Sequence, residues 1–247
     1  MIFFLGLDNT GQLGKSGTGK LAQELGLHLQ ACGLARLVYI TAHQLLPPGD
    51  ELPGSSLNQA YCLTLEGDAR RVRDIDMESR VYINRHFSAG SNPGFALAQR
   101  DQVNQQILSF AKACRMLVME RSDATDLSRE NGITTTAFAG NGNGVIGALA
   151  AIGWRWQGSD GLVTWMPGLA DLKGVMTLSE ILQLCMFDYV KSIRGKTPFF
   201  EDRIQLGDKI TPLLKEDRTL LLLETAPRKS EWEWNALGVN DINRINW

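Results

Sequence analysis

The sequence lacks the features that mark membrane and secreted proteins. In a chain of 247 residues, none of the apolar runs approaches the length that a membrane-spanning helix requires. The N-terminal segment, MIFFLGLDNT, has no basic region and reaches Asp8 too early for a secretory signal peptide. We therefore expect a cytoplasmic protein with no membrane partner.

Cysteine motifs and an excess of basic charge are also missing. The 4 cysteines lie far apart without a CxxC pair, which argues against a zinc knuckle or a redox pair, and their apolar neighbours predict reduced core thiols. The formal net charge of -2 gives no general attraction to nucleic acid. The basic cluster from Arg70 to Arg73 is expected to be a solvated face. His28 is expected to be a packed, hydrogen-bonded core residue rather than a ligand.

What remains is the composition of an ordinary globular protein, with 44% apolar and 21% charged residues. Strand and helix patterns alternate along the chain, which predicts an α/β or α+β fold. We expect a main α/β unit over residues 1–174 and a small α+β unit over residues 175–247. The second unit ends in a tail with Trp232, Trp234 and Trp247, which predicts docking onto the body of the protein or onto a partner, including a homodimer.

Apolar periodicity and turn residues place the individual elements. Strands are predicted at Ile2 to Leu7, Arg36 to Ala42, Asn58 to Glu66, Arg115 to Glu120, and in a hairpin whose arms are Trp154 to Trp156 and Leu162 to Met166. Helices are predicted from Gly19 to Gly33, Phe95 to Cys114, Ser122 to Glu130 and Thr177 to Arg194. The last of these begins with a capping box, because Glu180 stands three residues after Thr177.

One glycine-rich stretch organises the rest of the chain. A predicted strand, Ile133 to Ala139, leads into a turn with Gly140, Gly142, Gly144 and Gly147 and then into a helix of small apolar residues. Unpaired N–H groups and the dipole at a helix N-terminus attract phosphate or carboxylate, and glycine lets a ligand approach the backbone. A tight turn into a close-packed helix needs glycines as well, so packing alone is the alternative interpretation.

A second glycine-rich segment, Gly14 to Lys20, resembles a Walker A loop without completing it. That motif needs Ser or Thr after its lysine to hold magnesium, and this chain has Leu21. In that motif the preceding strand runs directly into the first glycine, whereas here six residues separate Leu7 from Gly14. A P-loop nucleoside triphosphatase (NTPase) is therefore not the favoured interpretation.

Three patterns together resemble the catalytic core of the archaeal tRNA(Ile) agmatidine synthetase family. They are Gly6-Leu7-Asp8-Asn9-Thr10, Ser91-Asn92-Pro93-Gly94, and the small-residue run from Gly142 to Gly153. The resemblance covers about residues 1 to 170. It implies a kinase-like α/β unit beside a ferredoxin-like one, with ATP and Mg²⁺ as cofactors.

The resemblance also implies roles for single residues. Asp8 matches the first magnesium carboxylate, Thr10 the signature threonine and Thr18 the threonine that takes a phosphoryl group. Asn58 matches an asparagine of the family's RGNG segment, whose arginine and second glycine are absent here. The chain departs from the family pattern GIDDTD at Asn9 and Gly11, which leaves a weaker magnesium site because Mg²⁺ prefers anionic oxygens.

Two lysines and two missing modules complete the comparison with this family. Lys15 and Lys20 add positive charge to the loop after the first strand and can replace metal as a phosphate clamp. No OB module or cysteine-rich zinc ribbon follows the core, so a tRNA-modifying role is not expected.

These observations predict an ATP- or nucleotide-phosphate-binding protein. We interpret it as an ATP-dependent phosphoryl-transfer or ligase-type enzyme acting on a small molecule. Such chemistry depends mainly on positioning and charge stabilisation, so it requires no nucleophilic triad. Its predicted catalytic residues are Asp8, Thr10, Thr18 and Lys20, with Asp8 as the metal ligand. The predicted nucleotide-binding residues are Gly140, Gly142, Asn143, Gly144, Gly147, Lys15, Asn58 and Asn92. The alternative is a non-catalytic nucleotide or anion sensor that binds a partner.

Overall fold

The computed structural model describes residues 1–11, 17–47, 58–207 and 210–244, and it divides into two compact units, Met1–Gln157 and Gly158–Trp247. The division falls at residue 157 because Leu162 pairs with Leu213, which draws the following segment into the second unit. The functional division at residue 174 stays a prediction. In the described part of the chain, no helix is long and apolar enough to cross a membrane.

The first unit is a five-stranded antiparallel sheet with helices on both faces. Its strands are β1 (Ile2–Asp8), β2 (Ala35–Gln44), β3 (Gln59–Gly67), β4 (Gly94–Gln99) and β5 (Thr134–Ala137). Its helices are α1 (Thr18–Ala31), α2 (Val72–His86), α3 (Gln105–Ala113), α4 (Arg121–Glu130) and α5 (Gly144–Gln157). The strand order is β5-β4-β1-β3-β2. The predicted mixture of helices and strands is confirmed.

The strand β1 is apolar from Ile2 to Leu7 because helices cover both of its faces. Phe4 belongs to the core cluster that includes the buried residues of α3 and α5. A Cβ at Gly6 would lie 1.9 Å from the carbonyl oxygen of Ala148, so β1 and α5 touch through their backbones. On the other face, Leu5 pairs with Leu63, whose side chain packs against α1.

The predicted helix from Phe95 to Cys114 is wrong in its first part. The segment 94–99 forms β4, which lies between β1 and β5 and is buried on both faces. A strand buried on both faces shows no alternation, and its apolar residues can mimic helical spacing. The helix α3 begins only after Asn104, whose Oδ1 accepts hydrogen bonds from the N–H groups of Gln106 and Ile107 at 2.9 and 3.4 Å.

Two predicted strands are also wrong. The segment 115–120 is a turn and an irregular stretch, and the N–H of Met116 donates back to the Ala113 carbonyl at 2.9 Å. Trp154 to Trp156 form the last turn of α5 rather than a hairpin arm, because the buried small-residue helix continues past Gly153. The other arm of the predicted hairpin is a strand, as expected.

The second unit is built around one long strand. Its strands are β6 (Leu162–Trp165), β7 (Val175–Thr177), β8 (Tyr189–Ser192), β9 (Arg203–Gln205), β10 (Leu213–Lys215), β11 (Arg218–Thr225) and β12 (Trp234–Ala236), and its helices are α6 (Leu178–Leu184) and α7 (Val239–Arg244). The leucine-rich β11 pairs antiparallel with β10 and β12 and parallel with β8. Leu220 and Leu222 pack in one cluster with Leu237 and Ile242.

The predicted helix from Thr177 to Arg194 is confirmed at its start and wrong at its end. Thr177 and Glu180 form the expected capping box, with the Glu180 N–H 3.2 Å from the Thr177 hydroxyl. The helix stops at Leu184 because the following residues pair as β8 with β11. Trp232 and Trp234 donate to Asn235 and Asp202 of their own unit, at 2.7 and 2.8 Å. Trp247 lies outside the described residues, and the homodimer stays a prediction.

Candidate functional site

The end of β1 meets the start of α5 at the carboxylate of Asp8. A Cβ at position 147 would lie 2.1 Å from Asp8 Oδ2, so only the absence of a side chain at Gly147 leaves room for this oxygen. The other oxygen, Oδ1, accepts a hydrogen bond from the Asn9 N–H at 2.7 Å. Asn9 has a positive φ of 54° and turns the chain away from the sheet directly after the carboxylate. The acidic strand end and the small-residue helix therefore form one place in the fold.

Desolvation disfavours the ionised form of this carboxyl group. Desolvation raises the pKa of Asp8 from 3.8 to about 7, and the hydrogen bond from the Asn9 N–H opposes the rise only in part. Burial, and next the charge of Asp8, also raises the pKa of Tyr61, which is the register partner of Leu7 on the neighbouring strand. A bound cation beside Asp8 would favour the ionised carboxylate.

A cavity of about 150 Å³ opens beside Asp8. Its lining residues are Asp8, Asn9, Leu45, Leu46, Asn58, Cys114, Leu117, Val118, Met119, Asn143, Ile146 and Gly147. The polar lining residues are thus one aspartate and three asparagines, and most of the others are apolar. We call Leu117, Val118 and Met119 the apolar wall of the cavity. Leu117 and Val118 are 58% and 54% exposed, so the apolar wall is open to a ligand. Such a cavity suits a ligand that combines an apolar ring or chain with polar or charged groups.

The backbone amides at the start of α5 are already used by the chain. The Gly144 N–H donates to the Asn92 carbonyl at 3.1 Å, and the Ile146 N–H donates to the Asn143 carbonyl at 3.0 Å. The Asn143 N–H donates to the side chain of Asn141 at 3.0 Å. A Cβ at Gly94 would lie 1.8 Å from the carbonyl carbon of Gly144. These contacts support the packing interpretation for Gly144, and phosphate binding by the glycine turn stays a prediction.

Asn92 connects the two loops that border the site. Its Oδ1 accepts from the Asn141 N–H at 3.0 Å, and its own N–H donates to Asn9 Oδ1 at 3.4 Å. Asn58 also lines the cavity and donates through Nδ2 to the Leu46 carbonyl at 3.0 Å. Asn92 therefore positions the Asn9 loop without lining the cavity, whereas Asn58 and Asn143 are lining residues.

The other predicted catalytic residues lie near this site without lining it. The Thr10 N–H donates to Thr18 Oγ1 at 3.2 Å, and the Thr10 hydroxyl is buried with no hydrogen-bond partner among the described residues. The exposed ammonium of Lys20 pairs with Glu24 at 3.6 Å. None of Thr10, Thr18 and Lys20 is among the lining residues in the part of the chain that the structure describes. Lys15 lies outside the described residues.

The apolar wall was missed by the sequence analysis. Its members Leu117, Val118 and Met119 belong to an apolar run that predicts a short strand. Only the fold shows that two of them are exposed at a cavity. The available signal was an apolar segment without alternation directly after a helix. That signal does not distinguish a core strand from an exposed binding wall.

The chain matches no protein-family model and no curated protein. Its fold is similar to that of a tRNA fluorescent labeling enzyme, with a TM-score of 0.55 and 22% identity over 62% of this chain and 36% of that one. It is also similar to TiaS, the tRNAIle2 agmatidine synthetase, in its complex with tRNA(Ile2) and ATP, with a TM-score of 0.54 and 23% identity over 62% of this chain and 36% of that one. The TiaS complex with tRNA(Ile2), AMPCPP and agmatine is similar as well, with a TM-score of 0.53 and 22% identity over 62% of this chain and 36% of that one.

These similarities confirm the predicted resemblance to the agmatidine synthetase core at the level of the fold. This chain spans 36% of the length of those neighbours. The prediction that tRNA is not a partner therefore stays untested, because the greater part of each neighbouring chain lies outside the compared region.

Proposed function

We propose that this chain binds ATP, or a closely related nucleotide, together with Mg²⁺ at Asp8, and that it is the nucleotide-using core of a transferase or ligase. The observation that carries the proposal is the half-buried, desolvated carboxylate of Asp8 against Gly147, at the edge of a cavity lined by three asparagines. Fold neighbours whose complexes contain ATP or AMPCPP support it. The kinase-like and ferredoxin-like assignment of the parts belongs to the same proposal.

The donor set fits magnesium, although it is sparse. Asp8 supplies one carboxylate, and the amide oxygens of Asn9 and Asn58 are neutral oxygen donors on the same cavity. Mg²⁺ in proteins is often held by one or two carboxylates together with phosphate oxygens and water, so the missing carboxylates at Asn9 and Gly11 leave more of the coordination to the nucleotide. The ion would neutralise charge on the transferred phosphoryl or adenylyl group.

The protein groups around the metal would hold the rest of the nucleotide. Asn143 offers a side-chain amide at the start of α5, where the helix dipole favours an anion. The apolar wall with Leu117 and Val118 would cover a base or the apolar part of an acceptor. Lys20 would reach phosphate only after its ammonium leaves Glu24. The buried Thr10 hydroxyl, which has no hydrogen-bond partner among the described residues, would bond to a ligand that reaches it.

The state of Asp8 favours a ligand site over packing alone. A desolvated carboxyl group whose pKa is raised to about 7 destabilises the fold at neutral pH. Such costs are concentrated at sites where a group must exchange a proton or bind a cation. Packing alone would be served better by an uncharged side chain. The acceptor class that we propose is a small molecule, and tRNA is the contrasting outcome of the experiment below.

The experiment combines binding with turnover. Calorimetry with ATP and Mg²⁺ should show saturable binding, and the protein should release phosphate or pyrophosphate when a small amine or a bulk tRNA fraction is added as acceptor. Asp8→Asn should remove turnover at least hundredfold, whereas the exposed control Asp101→Asn should keep it. Binding without release from any acceptor would refute the enzymatic proposal, and equal turnover in Asp8→Asn would refute the metal role.

A further inference from the structure

A second group of potential metal ligands lies on the α1–α2 face, away from the Asp8 cavity. The side chains of His28, Cys32 and Glu78 bring one ligand atom each within 4.8 Å of one another. None of the three lines the cavity beside Asp8. The sequence predicts core positions for His28 and Cys32, and this prediction is wrong. In the structure His28 is only half-buried and Cys32 is exposed.

Helix geometry brings these groups together. His28 and Cys32 are four residues apart at the end of α1, so their side chains lie on the same face. The Cys32 N–H donates to the His28 carbonyl at 2.9 Å, and Gly33 follows with a φ of 66°, which fixes the backbone where the helix ends. Glu78 belongs to the middle of α2, which packs beside α1.

One nitrogen of His28 faces both other ligands. Its Nε2 is 2.7 Å from Glu78 Oε1 and 3.6 Å from Cys32 Sγ. Tetrahedral zinc has bonds of about 2.0–2.3 Å, which sets its ligand atoms roughly 3.3–3.8 Å apart. The nitrogen–sulfur distance already fits, and the nitrogen–oxygen distance is that of a hydrogen bond whose proton a metal would replace. The Glu78 oxygen would have to move away from the nitrogen by roughly 0.6 Å, and its partly exposed side chain can make that shift.

The histidine ring is held in place from its other side. The Tyr82 ring lies 4.7 Å from the His28 ring, and the His86 ring stacks on Tyr82 at 4.1 Å. Tyr82 is one helical turn after Glu78, so the same helix that supplies the carboxylate also orients the imidazole. Fixed ring orientation favours metal binding, because less freedom is lost when the ion binds.

We propose that His28, Cys32 and Glu78 bind a zinc-class divalent transition metal, with water as the fourth ligand. Imidazole and thiolate select such metals over Mg²⁺ and Ca²⁺. The ion would connect the C-terminal end of α1 to the middle of α2 and would therefore stabilise the first unit. This site is independent of nucleotide binding.

The test uses tag-free full-length protein and Zn²⁺ alone. Wild type should bind one equivalent, and a hundredfold excess over Kd should raise Tm by roughly 5–10 °C. Zinc binding should weaken about tenfold or more in each of the variants Cys32→Ser, His28→Gln and Glu78→Gln. The control Glu130→Gln, which changes an exposed carboxylate at the end of α4, should leave it unchanged. Equal affinity in wild type and these three variants, or a wild-type Kd weaker than about 0.1 mM, would overturn the site.

Cobalt gives a second readout, and its measurement on wild type does not depend on whether the variants fold. Co²⁺ added to wild type should produce a thiolate-to-metal charge-transfer band in the near ultraviolet, because Cys32 is the only exposed cysteine among the described residues. Cys32→Ser should abolish the band. Binding of Co²⁺ to wild type without this band would exclude the thiolate as a ligand and overturn the proposed set.

Discussion

Replacing Asp8 by asparagine should stabilise the protein at neutral and basic pH. The folded protein holds the Asp8 carboxyl neutral up to a pKa of about 7, whereas its usual value is 3.8. Between these values the folded state binds more protons than the unfolded state, so the stability contributed by neutral Asp8 is complete below about pH 4 and is lost as pH rises to about 7. Asparagine keeps the shape of the side chain and never ionises.

The size of the effect follows from the difference in pKa. About 3 pKa units correspond to about 4 kcal/mol, since one unit is worth 1.36 kcal/mol. Asp8 opens onto a cavity, and solvent and local relaxation reduce this figure, so we expect Asp8→Asn to raise the free energy of unfolding by about 2 kcal/mol at pH 8. Near pH 4.5 the gain should fall below about 0.5 kcal/mol.

Urea denaturation of wild type and Asp8→Asn across this pH range measures the effect directly. The exposed control Asp101→Asn should change stability by less than about 0.5 kcal/mol at every pH. A gain in Asp8→Asn that does not depend on pH, or a loss of stability at pH 8, would show that the carboxyl group is solvated or already paired. The desolvation argument would then be refuted.

Three further outcomes test other parts of the account. Gly147→Ala should abolish Mg·ATP binding in calorimetry because its Cβ would collide with Asp8 Oδ2 at 2.1 Å. The control Gly17→Ala should bind normally, because its Cβ meets no atom within 4 Å among the described residues other than its chain neighbours, and equal affinities would remove Gly147 from the site. Mg·ATP affinity should increase between pH 6 and pH 8, since Asp8 must release its proton to bind the ion, and a flat profile would contradict this. Asn104→Ala should cost about 1–2 kcal/mol in urea denaturation through loss of the cap on α3, and a change under 0.3 kcal/mol would argue against the cap.

Local signals in the sequence were sufficient for elements that carry their own boundaries. β1 ends at turn-forming residues after Asp8, α1 ends before Gly33, and α6 begins at a capping box, and all three appear where expected. The strand β4 could not be recognised in this way, because its residues are buried between two other strands and show no alternation. Its identity depends on pairing partners that are distant in the chain.

The candidate site divides in the same manner. The resemblance to the synthetase core supplied Asp8 and the small-residue helix, and the structure brings Asp8 against Gly147. The apolar wall and the exposed position of Cys32 depend on tertiary packing, which periodicity does not encode. The sequence also could not show that the Gly144 N–H is already bonded to the Asn92 carbonyl, which shifts the expected phosphate donors toward side-chain amides.

The most direct measurement is a crystal structure with a non-hydrolysable ATP analogue and Mn²⁺, located by its anomalous signal. The account predicts a manganese peak about 2.0–2.3 Å from a carboxylate oxygen of Asp8, with nucleotide phosphates on the same ion and the nucleotide against Asn143 and the apolar wall. A nucleotide bound elsewhere, or a metal without Asp8 among its ligands, would contradict the central claim.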